Sequence, residues 1–399
     1  MAQENELRPF RIDIPEEDLD DLRQRIANTR WPEKETVDDD SQGVPLATMQ
    51  ELARYWATDY DWREVEARLN SYPQFLTTIN GLDIHFIHVR SQHEDALPLI
   101  VTHGWPGSVI EQLKIIEPLT NPTAFGRSAE DAFHVVIPSV PGYGFSGKPG
   151  ATGWDHAQVG HAWVELMKRL GYTQFVAQGG DVGALISNLM GAEAPPELAG
   201  IHINLPFTVP ADIMPLITQP GATPPASLTD DEKRAFEQVS KFFGKHAAYA
   251  LEMNTRPQTL GYALADSPIG LAAWIIDHGD GSGQPGLMGQ ILLGDTSSAV
   301  TRDDILDNIT LYWLTGTAAS AARIYWESKG PLFKAIDVSA PAAISVFPNE
   351  IYEAPRSWAE RAYQNLIYYN RPERGGHFAA WEQPEIFAGE LQAAFRPLR

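Results

Sequence analysis

The chain has 399 residues, 52 acidic against 30 basic side chains, a formal net charge of −22 and no cysteine. That charge argues against nucleic acid and anionic membrane as partners, since both require a basic patch, and the missing cysteines exclude disulfides, thiolate catalysis and Cys-based metal sites. The length exceeds an ordinary single domain, so a main domain with an insertion or an extension is expected.

In chain order, Met1 to Pro9 is polar and acidic, without the apolar stretch of an export signal. No run of about 18 apolar residues follows, and a soluble, cytoplasmic chain is expected. Residues 9–74 read as helical and rich in Trp and Arg. Pro15 ahead of Glu16, Glu17 and Asp18 predicts a helix start, with proline in the first turn and acids at the positive end of the dipole. Leu19, Leu22 and Ile26 continue it at helical spacing. Residues 46–58 and 61–69 predict two more helices. Asn80-Gly81 reads as a hairpin turn between 75–79 and the alternating run 82–89.

From there strands and helices alternate. Residues 99–102, 133–137, 175–177, 201–204 and 343–347 are short β-branched or aromatic runs, and helical stretches such as 109–119 and 157–170 lie between them. That alternation predicts a mostly parallel α/β sheet. Residues 207–330 break the rhythm: a Pro/Thr/Ala-rich start, helical stretches over 230–252, 270–277 and 302–328, and a glycine-rich loop over 279–286. The segment reads as a helical cap inserted between strands.

Chemistry gathers at Gln178-Gly179-Gly180-Asp181-Val182-Gly183, where a strand ends and a helix opens. The spacing is that of the nucleophile elbow G-x-S-x-G, which pushes a serine out of the sheet on a strained turn. Here the centre is Asp181. A carboxylate has no advantage over serine on an ester substrate, but it can attack a saturated carbon and form an ester that water then hydrolyses. Epoxide and alkyl-halide opening both fit, and a solvent-exposed glycine–aspartate turn would carry the same spelling.

Three further features bear on that choice. His103-Gly104-Trp105-Pro106-Gly107 follows the strand at 99–102, and a backbone N–H of this loop can join that of Val182 as an oxyanion hole. An ordinary turn with proline is the bland alternative, and His103 reads as structural. His377, in Gly375-Gly376-His377-Phe378, stands last in the order nucleophile, acid, histidine and reads as the general base. Glu350, on the loop after 343–347, is the acid that orients it, with Glu353 as competitor.

With these residues in place, the chain resembles the epoxide hydrolases of the α/β-hydrolase family, of the microsomal and juvenile-hormone type with its soluble bacterial and fungal members. The likeness runs nearly end to end. Arg8-Pro9-Phe10, Asp61-Trp62-Arg63 and Pro73-Gln74-Phe75 look like that group's N-terminal extension. The loop at His103, the elbow at Asp181, Pro355-Arg356-Ser357-Trp358 and Gly375-Gly376-His377-Phe378-Ala379-Ala380 are similar to its signatures. The resemblance implies an α/β-hydrolase fold, a mostly parallel sheet flanked by helices. Residues 1–80 would form an N-terminal helical extension wrapping the core, 81–206 and 331–399 the two parts of the core, and 207–330 the helical cap. It also implies a cis Trp105–Pro106 bond.

By the same resemblance, two cap tyrosines lie over the nucleophile: Tyr249, in Ala248-Tyr249-Ala250-Leu251, and Tyr325, in Arg323-Ile324-Tyr325-Trp326. Tyr312 is the competing assignment and reads as cap core. The implied reaction is hydrolysis of an epoxide to a vicinal diol through an ester on Asp181. Tyr249 and Tyr325 hold the epoxide oxygen, His377 with Glu350 activates water, and the N–H groups of Trp105 and Val182 form the oxyanion hole. The resemblance implies no metal or organic cofactor, only an epoxide and water as partners; no nucleic acid and no membrane partner are expected, on the acidic charge and the lack of a long apolar run. The rivals are a haloalkane-type dehalogenase using the same aspartate and a non-catalytic binding protein on this scaffold. Trp31, Trp56 and Trp62 of the extension leave three readings open: packing on the core, clamping the cap, or a homodimer interface. Trp274, Phe242 and Trp313 suggest an apolar pocket suited to bulky or aryl epoxides.

Overall fold

A computed structural model describes residues 6–219, 221–279, 286–328 and 330–399. All but the ends of the glycine-rich loop expected over 279–286 lie outside the described residues.

Among the described residues nine strands form one sheet: β1 (Arg8–Pro9), β2 (Gln74–Ile79), β3 (Leu82–Val89), β4 (Leu97–Thr102), β5 (Phe133–Pro138), β6 (Phe175–Gly179), β7 (Leu198–Ile203), β8 (Ala342–Ser345) and β9 (Leu366–Asn370). Their order is β1-β2-β3-β5-β4-β6-β7-β8-β9. The six strands β4 to β9 are parallel, and β1, β2 and β3 are antiparallel additions at one side. Strands buried on both faces need continuous apolar runs. Every residue of β6 is accordingly buried, as are Leu99, Ile100 and Val101 of β4. Asn80 (φ 51°) and Gly81 (φ 76°) make the β2–β3 turn, both left-handed as a two-residue hairpin of the primed type requires.

The chain runs from β4 to β5 on one side, then crosses back to β6 on the other side of β4. The carboxyl ends of β4 and β6 therefore flank the point where the order reverses, the crevice in which open α/β sheets bind ligands. Between β7 and β8 the chain leaves the sheet for a run of helices, among them Asp230–Lys241, Ala248–Thr255, Arg302–Thr315 and Ala318–Glu327.

Several elements differ in detail from expectation. Pro15 caps the helix Glu16–Ala27 from outside its first turn. Residues 109–119 begin as a 3₁₀ segment, Val109–Ile115, before the short helix Ile116–Thr120. The stretch 230–252 is split by a π turn at Phe242–His246. The stretch 302–328 is split at Gly316, whose φ of 58° gives a left-handed cap that a continuing helix cannot accommodate. Strand β9 had no signal: Leu-Ile-Tyr-Tyr-Asn does not alternate, and all five residues are half-buried at the sheet edge.

The N-terminal helices spend their aromatic residues within the chain. Trp56 and Trp62 are buried, and Trp31 packs partly buried against the core. The Trp56 indole N–H donates to Thr310 Oγ1 at 3.0 Å, and Arg68 pairs with Asp307 at 2.8 Å. Both contacts fall on the inserted helix Arg302–Thr315. Among the described residues no helix is long and apolar enough to cross a membrane.

Candidate active site

The turn after β6 puts Asp181 at φ 50° and ψ −121°, a strained conformation for a residue with a side chain. The turn holds because the next helix, Val182–Glu193, lies hard against β4. A Cβ on Gly183 would stand 2.1 Å from the Thr102 carbonyl oxygen. The strain aims the carboxylate over the end of the sheet, at the positive end of that helix. The loop after β4 comes equally close: a Cβ on Gly104 would be 2.3 Å from Asp181 Oδ1. The Trp105–Pro106 peptide is cis, and the Trp105 N–H donates to Asp181 Oδ1 at 2.9 Å. The Val182 N–H also bonds this carboxylate. Burial pushes the Asp181 carboxyl above its usual range, while His377 and the two N–H groups favour the anion.

His377 reaches the same point from the far side. Asn349 and Gly376 bridge the loops after β8 and β9, and the His377 side chain is 1 % exposed. Its Nδ1 meets Glu350 Oε1 at 2.6 Å, and its Nε2 lies 3.6 Å from Asp181 Oδ2. With Nδ1–H directed at Glu350, Nε2 is the basic nitrogen and faces the Asp181 carboxylate. Glu350 is fully buried, accepts from the Ile351 N–H at 2.8 Å, and has Asn204 Nδ2 at 3.5 Å. Glu353, the competitor, instead gives its N–H to Gln238 Oε1 at 2.9 Å.

The tyrosines come from two helices of the inserted segment. The Tyr249 ring stacks on Trp105 with centroids 4.8 Å apart and planes at 14°, and Tyr325 stands edge-on to Trp105 at 6.3 Å. The hydroxyl of Tyr325 hydrogen-bonds that of Tyr249. Burial first, and the Asp181 charge second, hold both phenols well above their ordinary range, so both remain protonated donors. Tyr312 is buried and donates to the Gly107 carbonyl at 2.7 Å, so it ties the inserted segment to the loop after β4. His103 is fully buried, accepts the Val140 N–H on Nε2 at 3.1 Å, and is pushed down to about 4 by burial, which suits a neutral structural role.

Asp181, Tyr249 and Tyr325 share a cavity of about 270 Å³ with a mostly apolar wall that includes Leu185, Phe207, Phe242, Phe243 and Phe333. Of the three aromatics expected there, Phe242 is the one that lines it. Trp313 lies instead under the Arg25 guanidinium, 5.7 Å away, and Trp274 packs edge-on against Trp105 at 6.3 Å. Phe207, Phe243 and Phe333 carry no motif, and only the folding of distant segments onto one wall reveals them. The same holds for Glu111 and Gln112 near Asp181 and for His278, whose ring lies 4.9 Å from that of His377.

Residues 7–112 match the family described as Epoxide hydrolase N terminus, and residues 98–259 match the alpha/beta hydrolase fold. A Stigmatella aurantiaca protein named "Putative epoxide hydrolase" is 52 % identical over 98 % of this chain and 86 % of its own. Epoxide hydrolase 1 of Sus scrofa is 34 % identical over 98 % of this chain and 89 % of its own. The crystal structure of juvenile hormone epoxide hydrolase from Bombyx mori covers 100 % of this chain and 96 % of its own, at 31 % identity and a TM-score of 0.87.

Proposed function

The chain belongs to the epoxide hydrolase family, whose reaction adds water across an epoxide to give a vicinal diol, and we propose that it does so through an ester on Asp181. One observation carries the assignment of residues: an aspartate held on an elbow, with two phenols and a Glu350–His377 pair converging on it.

In the first step Tyr249 and Tyr325 hydrogen-bond the epoxide oxygen. An Asp181 oxygen attacks a ring carbon from the opposite side, that C–O bond breaks, and the alkoxide takes a phenolic proton. In the second step His377 Nε2 takes a proton from water as its oxygen adds to the Asp181 carboxyl carbon. The N–H groups of Trp105 and Val182 hold the oxyanion. Collapse expels the diol oxygen, which takes the proton from His377, and the Asp181 carboxylic acid returns its proton to the phenolate. Proton count and charge are restored. Residues 207–330 act as the cap that brings both tyrosines over the nucleophile, and 1–80 as an extension pinned to that cap through Trp56 and Arg68. The apolar wall favours bulky or aryl epoxides.

Two phenols sharing one oxygen predict a graded loss. Tyr249→Phe or Tyr325→Phe is expected to slow ester formation by roughly 10²-fold, the low end for positioned acid catalysis. The double variant is expected to lose it almost completely. Single-turnover mixing with styrene oxide, followed by intact mass, measures this step. Unchanged rates in the double variant would move the donor role to other groups.

A further inference from the structure

Two chambers meet at Asp181. The larger is the apolar cavity under the tyrosines. The smaller adjoins the carboxylate with neither tyrosine on its described wall, is about 20 Å³, and is bounded by Glu111, Gln112, Gln178, Asn204 and His377 together with Asp181. Among the described lining residues, Asp181 alone is common to both.

We propose that the smaller chamber holds the water that hydrolyses the Asp181 ester, with Glu111 and Gln112 as the residues that position it. The proposal rests on the ester mechanism above.

Four observations support it. The volume suits one water molecule, which needs roughly 10–15 Å³ and two to four polar partners. Gln112 is 2 % exposed, and its carboxamide oxygen has no hydrogen-bond partner among the described residues, the signature of a buried acceptor that a water would satisfy. Glu111 folds back over the loop after β4: a Cβ on Gly107 would fall 1.7 Å from its Oε2, and the Gly104 backbone bonds its carboxyl. Burial, reinforced by the Asp181 charge and opposed by His377, pushes Glu111 up to about 8. At neutral pH its carboxyl is therefore mostly an O–H donor.

Neither residue has another part in the chemistry. The water would give one proton to His377 Nε2, direct the other at Gln112 Oε1, and accept from Glu111 on one lone pair. The second lone pair is left for the carboxyl carbon. Glu111 keeps its proton throughout. Water then reaches the ester from the side opposite the bound alcohol and need not pass the substrate.

The test separates the two chemical steps. Wild type, Glu111→Gln, Glu111→Ala and Gln112→Met are mixed with styrene oxide under single-turnover conditions, and ester and diol are followed by quenched-flow mass spectrometry. Glu111→Ala and Gln112→Met are expected to form ester within about twofold of the wild-type rate and to hydrolyse it roughly 10- to 100-fold more slowly. Glu111→Gln keeps a donor of the same shape and is expected to restore most of the hydrolysis rate. Hydrolysis at the wild-type rate in both Glu111→Ala and Gln112→Met would overturn the proposal. So would equal slowing of both steps, which marks a clip on the loop and nothing more. Gln112→Met nearly conserves volume and keeps the test decisive if Glu111→Ala does not fold. Absence of any ester, in these proteins and in His377→Gln alike, would instead overturn the ester mechanism itself.

Discussion

Asp181→Ala is expected to abolish diol formation, by roughly 10⁵-fold or more, the scale on which loss of a covalent nucleophile acts. The size of the effect follows from geometry. The elbow holds one carboxylate at the junction of the two chambers, and the Trp105 and Val182 N–H groups bond that carboxylate alone. Asp181 is the one carboxylate among the described residues of the cavity wall, and Tyr249 and Tyr325 are held as protonated phenols. The variant should remain folded, because alanine removes a buried charge and relieves none of the close contacts that Gly183 makes with β4. Diol production at the wild-type rate by a folded Asp181→Ala protein would remove the nucleophile from the mechanism.

His377→Gln is expected to divide the reaction in two. In the proposed mechanism ring opening uses Asp181 and the phenols, whereas ester hydrolysis uses a base at the position of Nε2, 3.6 Å from Asp181 Oδ2. Glutamine can accept a hydrogen bond from water there but cannot take its proton. Steady turnover should fall by roughly 10³-fold or more, in the upper range for general-base catalysis, while one equivalent of ester forms at nearly the wild-type rate. Intact mass after mixing with an epoxide should then show the protein heavier by one substrate. An unmodified mass, with substrate bound and the protein folded, would contradict this division of labour.

The parts of the site legible in the sequence each follow a strand on a loop, and at Asp181 and His377, though not at Glu350, that loop is flanked by glycine. Asp181 and His377 carry local constraints that show in their neighbours. Gly183 is squeezed against β4, and Gly375 adopts a φ of 110°. Glu350 was legible because it follows β8 closely, and the close pairing of Asn349 with Gly376 delivers it to His377. Tyr249 and Tyr325 lie on helices with no such constraint, and they were reached through resemblance alone. Of the apolar wall only Phe242 was legible, as an aromatic in the inserted segment. Leu185, Phe207 and Phe333 stand on separate segments, and nothing in their neighbours distinguishes them from core residues. Trp313, an aromatic in the right segment, faces Arg25 on the N-terminal helix instead. Glu111 shows the same limit, since an acid in the first turn of a helix ordinarily complements its dipole at the surface. Only the closeness of the Gly104–Gly107 backbone shows that its carboxyl turns inward.

The ester on Asp181 is tested most directly by multiple turnovers of an epoxide in H₂¹⁸O, followed by proteolysis and mass analysis of the peptide that contains Asp181. Water adds to the carboxyl carbon, so one carboxylate oxygen is replaced in each cycle, and the peptide is expected to carry ¹⁸O in the Asp181 side chain. Label confined to the diol, with none in Asp181 after many turnovers, would mean that water attacks the epoxide directly and would contradict the mechanism.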